Sequence, residues 1–285
     1  MRPGRPSSLT ITSGPITVEA RLHPVPARPG KGLDPARARR RYQGFLTSNQ
    51  PQVVAELTPF RGETGAEDAA VTGSGPFACS AERFSWELDG PRCRGRLNAN
   101  PADLDSLLRT LFAHLAVRSN GVILHAASLS FGGRAHLFVG VSGAGKTTLS
   151  RCLGGRTFGG QKVATLSDEL VLLTNEGTAA SPRFRVHSTP FWGEFRMPAN
   201  NGSAPLGRIF LLAKGKAKVA PLAAAQAQAR LLRCLVCFER SKTVLSSSWD
   251  LLLAALARHP AAELSWDGKD AEHIVEIMRQ ERTTP

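Results

Sequence analysis

An α/β fold is what this sequence predicts, on three observations. An apolar run at residues 135–139 leads into the glycine-rich octapeptide GVSGAGKT at 140–147, followed by a helical segment that Gly154-Gly155 stops. Two further strand-like apolar runs flank this unit, one at 122–131 and one at 163–173. Amphipathic helical patterns stand on both sides: Leu104, Leu107, Leu108, Leu111 and Leu115 form one stripe, and residues 271–281 form another.

From the N-terminus, residues 9–22 and 84–88 read as strands, while 23–40 and 61–76 are rich in proline, glycine and polar residues and read as loops. Residues 1–98 are therefore expected to form a small β-rich, partly irregular region, and 99–285 a second domain. Asn100-Pro101-Ala102-Asp103 has the chemistry of a helix start and opens it. In the run 122–131, His125 sits mid-strand, and Gly132-Gly133 makes a hairpin turn into the next strand. That strand delivers the octapeptide. Beyond residue 173, a strand is expected at 209–213, helices at 222–238 and 248–258, and the final helix at 271–281.

The octapeptide fits G-x-x-x-x-G-K-[ST] at every defined position. Its glycines let the backbone close around phosphates with successive N–H groups pointing inward. Gly140, Ser142, Gly143, Ala144, Gly145, Lys146, Thr147 and Thr148 are thus the expected nucleotide-binding positions. Lys146 would reach the β- and γ-phosphates, and the Thr147 hydroxyl would hold Mg²⁺. The run 163–173 is interrupted by Asp168-Glu169. Two carboxylates inside an apolar strand cost desolvation energy; Mg²⁺ and a polarised substrate hydroxyl beside a phosphate loop would offset it. The alternative is a strand end where both acids meet water. His125 is either a group near the phosphates and acids or a hydrogen-bonded core histidine.

Read together, LHAASLSFGGRAHLFVGVSGAGKTTLS and the following LSDE resemble the C-terminal kinase domain of HPr kinase/phosphorylase, and more closely the HPr-kinase-related proteins of bacterial gene clusters. The resemblance spans roughly residues 120–175 and continues more weakly to about 240. It implies a core of mixed sheet and helices related to phosphoenolpyruvate carboxykinase, and ATP with Mg²⁺ as cofactors. It also implies transfer of the γ-phosphoryl group to a serine-like hydroxyl of a small protein, peptide or metabolite. Carried over by position, Lys146 would cradle the triphosphate, Asp168 would be the base, and His125 would tune the acid pair or touch the transferring phosphoryl group; Thr147 and Asp168 would be metal positions, and Glu169 would either help position the metal or orient His125. The chain departs from HPr kinases in having Thr147-Thr148 after the lysine where Ser-Glu is usual, and Glu169 where an Asp is usual. It also has a longer stretch between loop and acids and lacks their glycine- and arginine-rich signature. Instead, residues 188–196 carry STPFWGEFR, familiar from the related proteins, with Glu194 and Arg196 as candidates for a substrate-facing loop; an ordinary packed loop is the alternative. The acceptor stays open. A non-catalytic nucleotide-binding regulator or assembly factor is the competing reading, and it would need Lys146 and Thr147 but no base.

Composition narrows the partners. The net charge of +13 is concentrated in residues 1–42, with nine Lys/Arg against two acids, and in 207–242, with eight against one. The Arg37–Arg41 cluster lacks interleaved aromatics or a nucleic-acid module, which disfavours nucleic acid and favours an acidic partner. Self-association stays open. No signal peptide and no apolar stretch of spanning length is legible, so the expected compartment is the cytoplasm, away from membrane. Cys234-Leu-Val-Cys237 has redox or metal-ligand spacing but no completing pair, and is read as core packing.

Overall fold

The structure is a computed structural model that describes residues 6–24, 33–60, 77–81, 83–193, 200–238 and 241–280. The chain is α/β and divides into two compact units, Met1–Leu115 and Ala116–Pro285. The sequence places the boundary at 98/99; the structure places it after Leu115.

The first unit holds β1 (Ser7–Ser13), β2 (Ile16–Leu22), α1 (Pro35–Tyr42), β3 (Val53–Pro59), β4 (Phe77–Ala81), β5 (Phe84–Asp89), β6 (Arg92–Leu97) and most of α2 (Pro101–Arg118). One sheet of order β1-β2-β3-β6-β5-β4 contains all six strands. The period-two alternation of a half-buried strand puts Val18, Ala20 and Leu22 inside with Ala55, Leu57, Trp86, Leu88, Cys93 and Leu97. The opposite face carries charge, as in the Arg21–Glu56 pair at 3.0 Å. Helix α1 begins within residues 23–40, which the sequence pattern reads as loop, and runs on to Tyr42. Its cause is local: Asp34 accepts from the Ala36 N–H at 2.9 Å, and Pro35 suits the first helical position. Residues 25–32 and 61–76, also read as loop, lie outside the described residues. Helix α2 starts where Asn100 Oδ1 caps the Asp103 N–H at 2.9 Å. Its leucine stripe is buried, and Trp86 Nε1–H donates to Thr110 Oγ1 at 2.7 Å. These contacts give the helix to the first unit.

The second unit contains β7 (Gly121–Phe131), β8 (Arg134–Val139), α3 (Lys146–Leu153), β9 (Thr157–Phe158), β10 (Gln161–Lys162), β11 (Ala164–Ser167), β12 (Leu170–Asn175), β13 (Phe184–His187), β14 (Ser203–Lys214), β15 (Lys218–Pro221), α4 (Ala224–Leu232), β16 (Leu235–Val236), α5 (Lys242–Arg258), β17 (Ala262–Trp266) and α6 (Ala271–Arg279). Gly132 and Gly133, at φ +59° and +75°, make the two-residue turn between β7 and β8. Pairings run in a cycle, β7–β8–β14–β13–β12–β7, because the long strands β7 and β14 each pair along both halves. Inside it, Val122, Leu124 and Ala126 meet Leu137, Val139, Val171, Val186 and Leu211, with α4 and α5 packed on this core. A second core joins Ala127, Leu129, Phe138 and Phe210 to Leu149 and Leu153 of α3 and to Ile274 and Met278 of α6.

Two further expectations are corrected. The helix read over 222–238 ends at Leu232, and the chain then turns into β16, which pairs with β7 at Leu235–Leu124. An apolar run of this length suits a buried strand as well as a helix, and the open edge of β7 decides it. The apolar segment around Asp168-Glu169 is two strands, β11 and β12, with the acids in a bend between them. Among the described residues, no helix is long and apolar enough to cross a membrane.

Candidate functional site

Strand β8 ends at Val139, and the chain enters the glycine loop directly. Gly143 and Gly145 adopt φ of +78° and +102°, values that side chains rarely tolerate, so the loop needs glycine at both. At Gly140 the constraint is steric: a Cβ there would lie 2.6 Å from the Ala144 Cβ. Gly145 caps α3 without a side-chain bond, so the backbone N–H groups of its first turn have no intrahelical acceptor. Anions favour such an end. Ser142, Gly143 and Thr148 are exposed, Thr147 is half-buried, and Lys146 is buried at 6% exposure.

Lys146 donates from Nζ to the carbonyls of Gly140 at 2.6 Å and Val141 at 3.0 Å. Burial lowers its pKa, against the opposing pull of the Cys234 thiol and the Glu169 carboxylate. A desolvated ammonium held by two backbone carbonyls, at the mouth of an anion-favouring loop, is suited to a polyanionic ligand.

Strand β7 gathers the remaining groups. Ala126 pairs with Val139, the last residue before the loop, on one edge. On the other edge His125 pairs with Leu170, and the Ala126 N–H donates to the Glu169 carbonyl at 2.9 Å. The register bulge between Thr165 and Ser167 sets these partners. Loop and acids thus flank one strand, two inter-strand spacings apart, about 10 Å. His125, half-buried, lies between them and donates its N–H to the Cys234 carbonyl at 2.7 Å.

The acid pair is roofed by the segment after β13. Gly193 N–H donates to Asp168 Oδ1 at 3.1 Å. Thr189 Oγ1 and Ser167 Oγ both donate to the Leu170 carbonyl at 2.7 Å, fixing the far side of the bend. Ser188 closes the base of this segment: Gly202 N–H donates to its hydroxyl at 2.7 Å, and the hydroxyl reaches the carbonyls of Asn200 at 2.9 Å and Gly202 at 3.0 Å. Asp168 is 5% exposed and Glu169 half-buried. Glu194 and Arg196 lie outside the described residues.

Cys234 is the neighbour that the sequence reading placed only in the core. It is buried, but its thiol also lies beside Lys146 and accepts from the Gly140 N–H; burial pushes its pKa up, opposed chiefly by Lys146. No local signal shows this, because β16 is needed to bring it there. Among the described residues, no group of three or more His, Cys, Asp or Glu gathers as a metal site. Mg²⁺ held through phosphates and water needs only one or two protein oxygens, and the Thr147 hydroxyl in the first turn of α3 can offer one. No protein-family model matches the chain, and no curated protein matches it.

Proposed function

We propose that the protein is an ATP-dependent kinase of the HPr-kinase-related type, with a core akin to phosphoenolpyruvate carboxykinase, that phosphorylates a serine-like hydroxyl. The observation that carries this reading is the buried, carbonyl-held Lys146 at the glycine loop, about one strand's width either side of β7 from the acids of the β11–β12 bend.

Lys146 and the loop N–H groups hold the triphosphate, and Lys146 exchanges its carbonyl contacts for phosphate oxygens. Thr147 and the acid pair would hold Mg²⁺, which would supply charge neutralisation at the phosphates. Asp168 accepts the proton of the acceptor hydroxyl as its oxygen forms a bond to the γ-phosphorus; the bond to the bridging β,γ-oxygen breaks and ADP leaves. Gly193 N–H donates to Asp168 Oδ1 and so holds the carboxylate in place. Glu169 raises the potential for cations around Lys146, and His125 borders both halves of the site. Positioning and charge neutralisation supply most of the rate.

The test is incubation of purified protein with Mg²⁺ and γ-labelled ATP against HPr, free serine and peptides encoded beside the gene. Label on one acceptor, lost in Lys146→Ala and Asp168→Asn with ATP binding kept in the latter, supports the kinase. Binding without transfer to any acceptor supports a regulator, and no ATP binding sinks both.

A further inference from the structure

Strands β8, β14 and β17 run parallel, with Val139 level with Leu211 and Lys214 level with Trp266. Their carboxyl ends therefore open toward one edge, where ligands of open α/β sheets bind. The phosphate loop leaves β8 there, and residues 267–270 leave β17. Gly268 stands against the first turn of α3: a Cβ on it would be 3.5 Å from Thr148 Cγ2. One turn further, Cys152 Sγ lies 3.9 Å from the Gly268 carbonyl.

An open pocket of about 360 Å³ follows this flank, lined by Cys152, Arg156, Gly268, Asp270, Ala271 and Glu272. Its wall is held in shape. Trp266 Nε1–H donates to the Lys269 carbonyl, the Lys269 N–H to Asp267 Oδ1 at 3.0 Å, and Asp270, at φ +59°, accepts from the His273 N–H at 3.2 Å. With 1.5 Å of rise per residue, Cys152 lies roughly 9 Å beyond Lys146 along α3. That span matches an α-phosphate and ribose leading away from the loop.

We propose that this pocket receives the nucleoside end of the nucleotide whose phosphates occupy the glycine loop. The inference rests on the phosphate-loop reading above. Its chemistry is complementary to the loop's: Asp270 and Glu272 repel phosphate but accept hydrogen bonds from ribose hydroxyls or an exocyclic amine. Arg156, already over the Phe158 ring at 5.2 Å from its centroid, presents a guanidinium of the kind that stacks on flat rings. Cys152 and Ala271 give the apolar floor a base requires.

The experiment compares ATP with inorganic tripolyphosphate, both with Mg²⁺, on wild type, Ala271→Trp and Lys146→Ala. Filling the pocket with tryptophan is expected to weaken ATP roughly tenfold or more and to leave tripolyphosphate within about twofold, whereas Lys146→Ala weakens both. An Ala271→Trp effect equal on both ligands, or on neither, overturns the subsite while leaving the phosphate loop standing. Wild-type protein that binds neither ligand overturns the phosphate-loop reading, and the subsite with it. A second measurement needs no substitution: alkylation of Cys152, half-buried in the pocket wall, is followed by peptide mass. Saturating ATP should slow it by about fivefold or more while tripolyphosphate does not. Equal rates under both ligands overturn the proposal.

Discussion

Gly193 donates its amide hydrogen to Asp168 across 3.1 Å, with its α-carbon pressed against the acid pair. A methyl group at that carbon would sit 3.1 Å from Glu169 Oε2, 3.3 Å from Glu169 Cβ and 3.4 Å from Asp168 Oδ2. The missing side chain lets the backbone approach both carboxylates closely and still offer a donor.

Gly193→Ala should therefore displace the acids by a few tenths of an ångström and lower phosphoryl transfer by roughly tenfold to a hundredfold. ATP affinity should stay near wild type. Single-turnover transfer beside ATP titration separates these; an unchanged transfer rate removes the roof from the mechanism.

Lys146→Met removes a desolvated ammonium from a site where two backbone carbonyls accept its hydrogen bonds. The freed carbonyls of Gly140 and Val141 lie in a half-exposed and an exposed residue, so water can take them over. The variant should lose ATP binding while its stability stays within about 1 kcal/mol of wild type or rises. Denaturant unfolding checks it, and a large loss of stability would recast Lys146 as a structural residue.

Ser188→Ala should destabilise the second unit by about 1–3 kcal/mol, because it strips a fully buried hydroxyl from the Gly202 N–H and from the carbonyl it donates to, while the backbone bond from the Ser188 N–H to the Gly202 carbonyl stays. The urea midpoint reads this. Transfer should also fall, since the segment carrying Gly193 is fastened at that serine.

Two buried histidines set an acid limit. Burial, with Arg208 and Arg134 nearby, lowers His136 to about 4; burial likewise lowers His187 to about 4, with Glu176 opposing and Arg185 assisting. Their folded pKa values lie below the unfolded value of 6.5. The unfolded chain thus takes up protons first as pH falls. Stability should be full above pH 6.5, decline between 6.5 and about 4, and flatten below, each histidine contributing roughly 3 kcal/mol at most. His136→Phe, which keeps a ring beside Phe210, should shallow that slope in melts between pH 7 and 4.5; an unchanged slope would show that His136 does not set it.

The sequence by itself determined what short-range sterics determine. Gly143 and Gly145 must take positive φ, Gly132-Gly133 must turn a hairpin, and Gly145 must hand the loop to a helix; these depend only on neighbours in the chain, so the loop–helix unit was legible in order. The leucine stripe of α2 was legible as helix for the same reason, but not which unit it would pack in, because a stripe states only that it must be buried. Tertiary structure alone decided the rest. The bulge between Thr165 and Ser167 chose which residues of β7 face the acids, the free edge of β7 drew residues 235–236 out of a helix and set Cys234 beside Lys146, and the fastening of Ser188 to Gly202 lowered Gly193 onto Asp168. Each is a hydrogen-bonding choice between segments 14 to more than 100 residues apart, and such choices are fixed by which unpaired backbone groups the folded core leaves available, a quantity that no local pattern encodes.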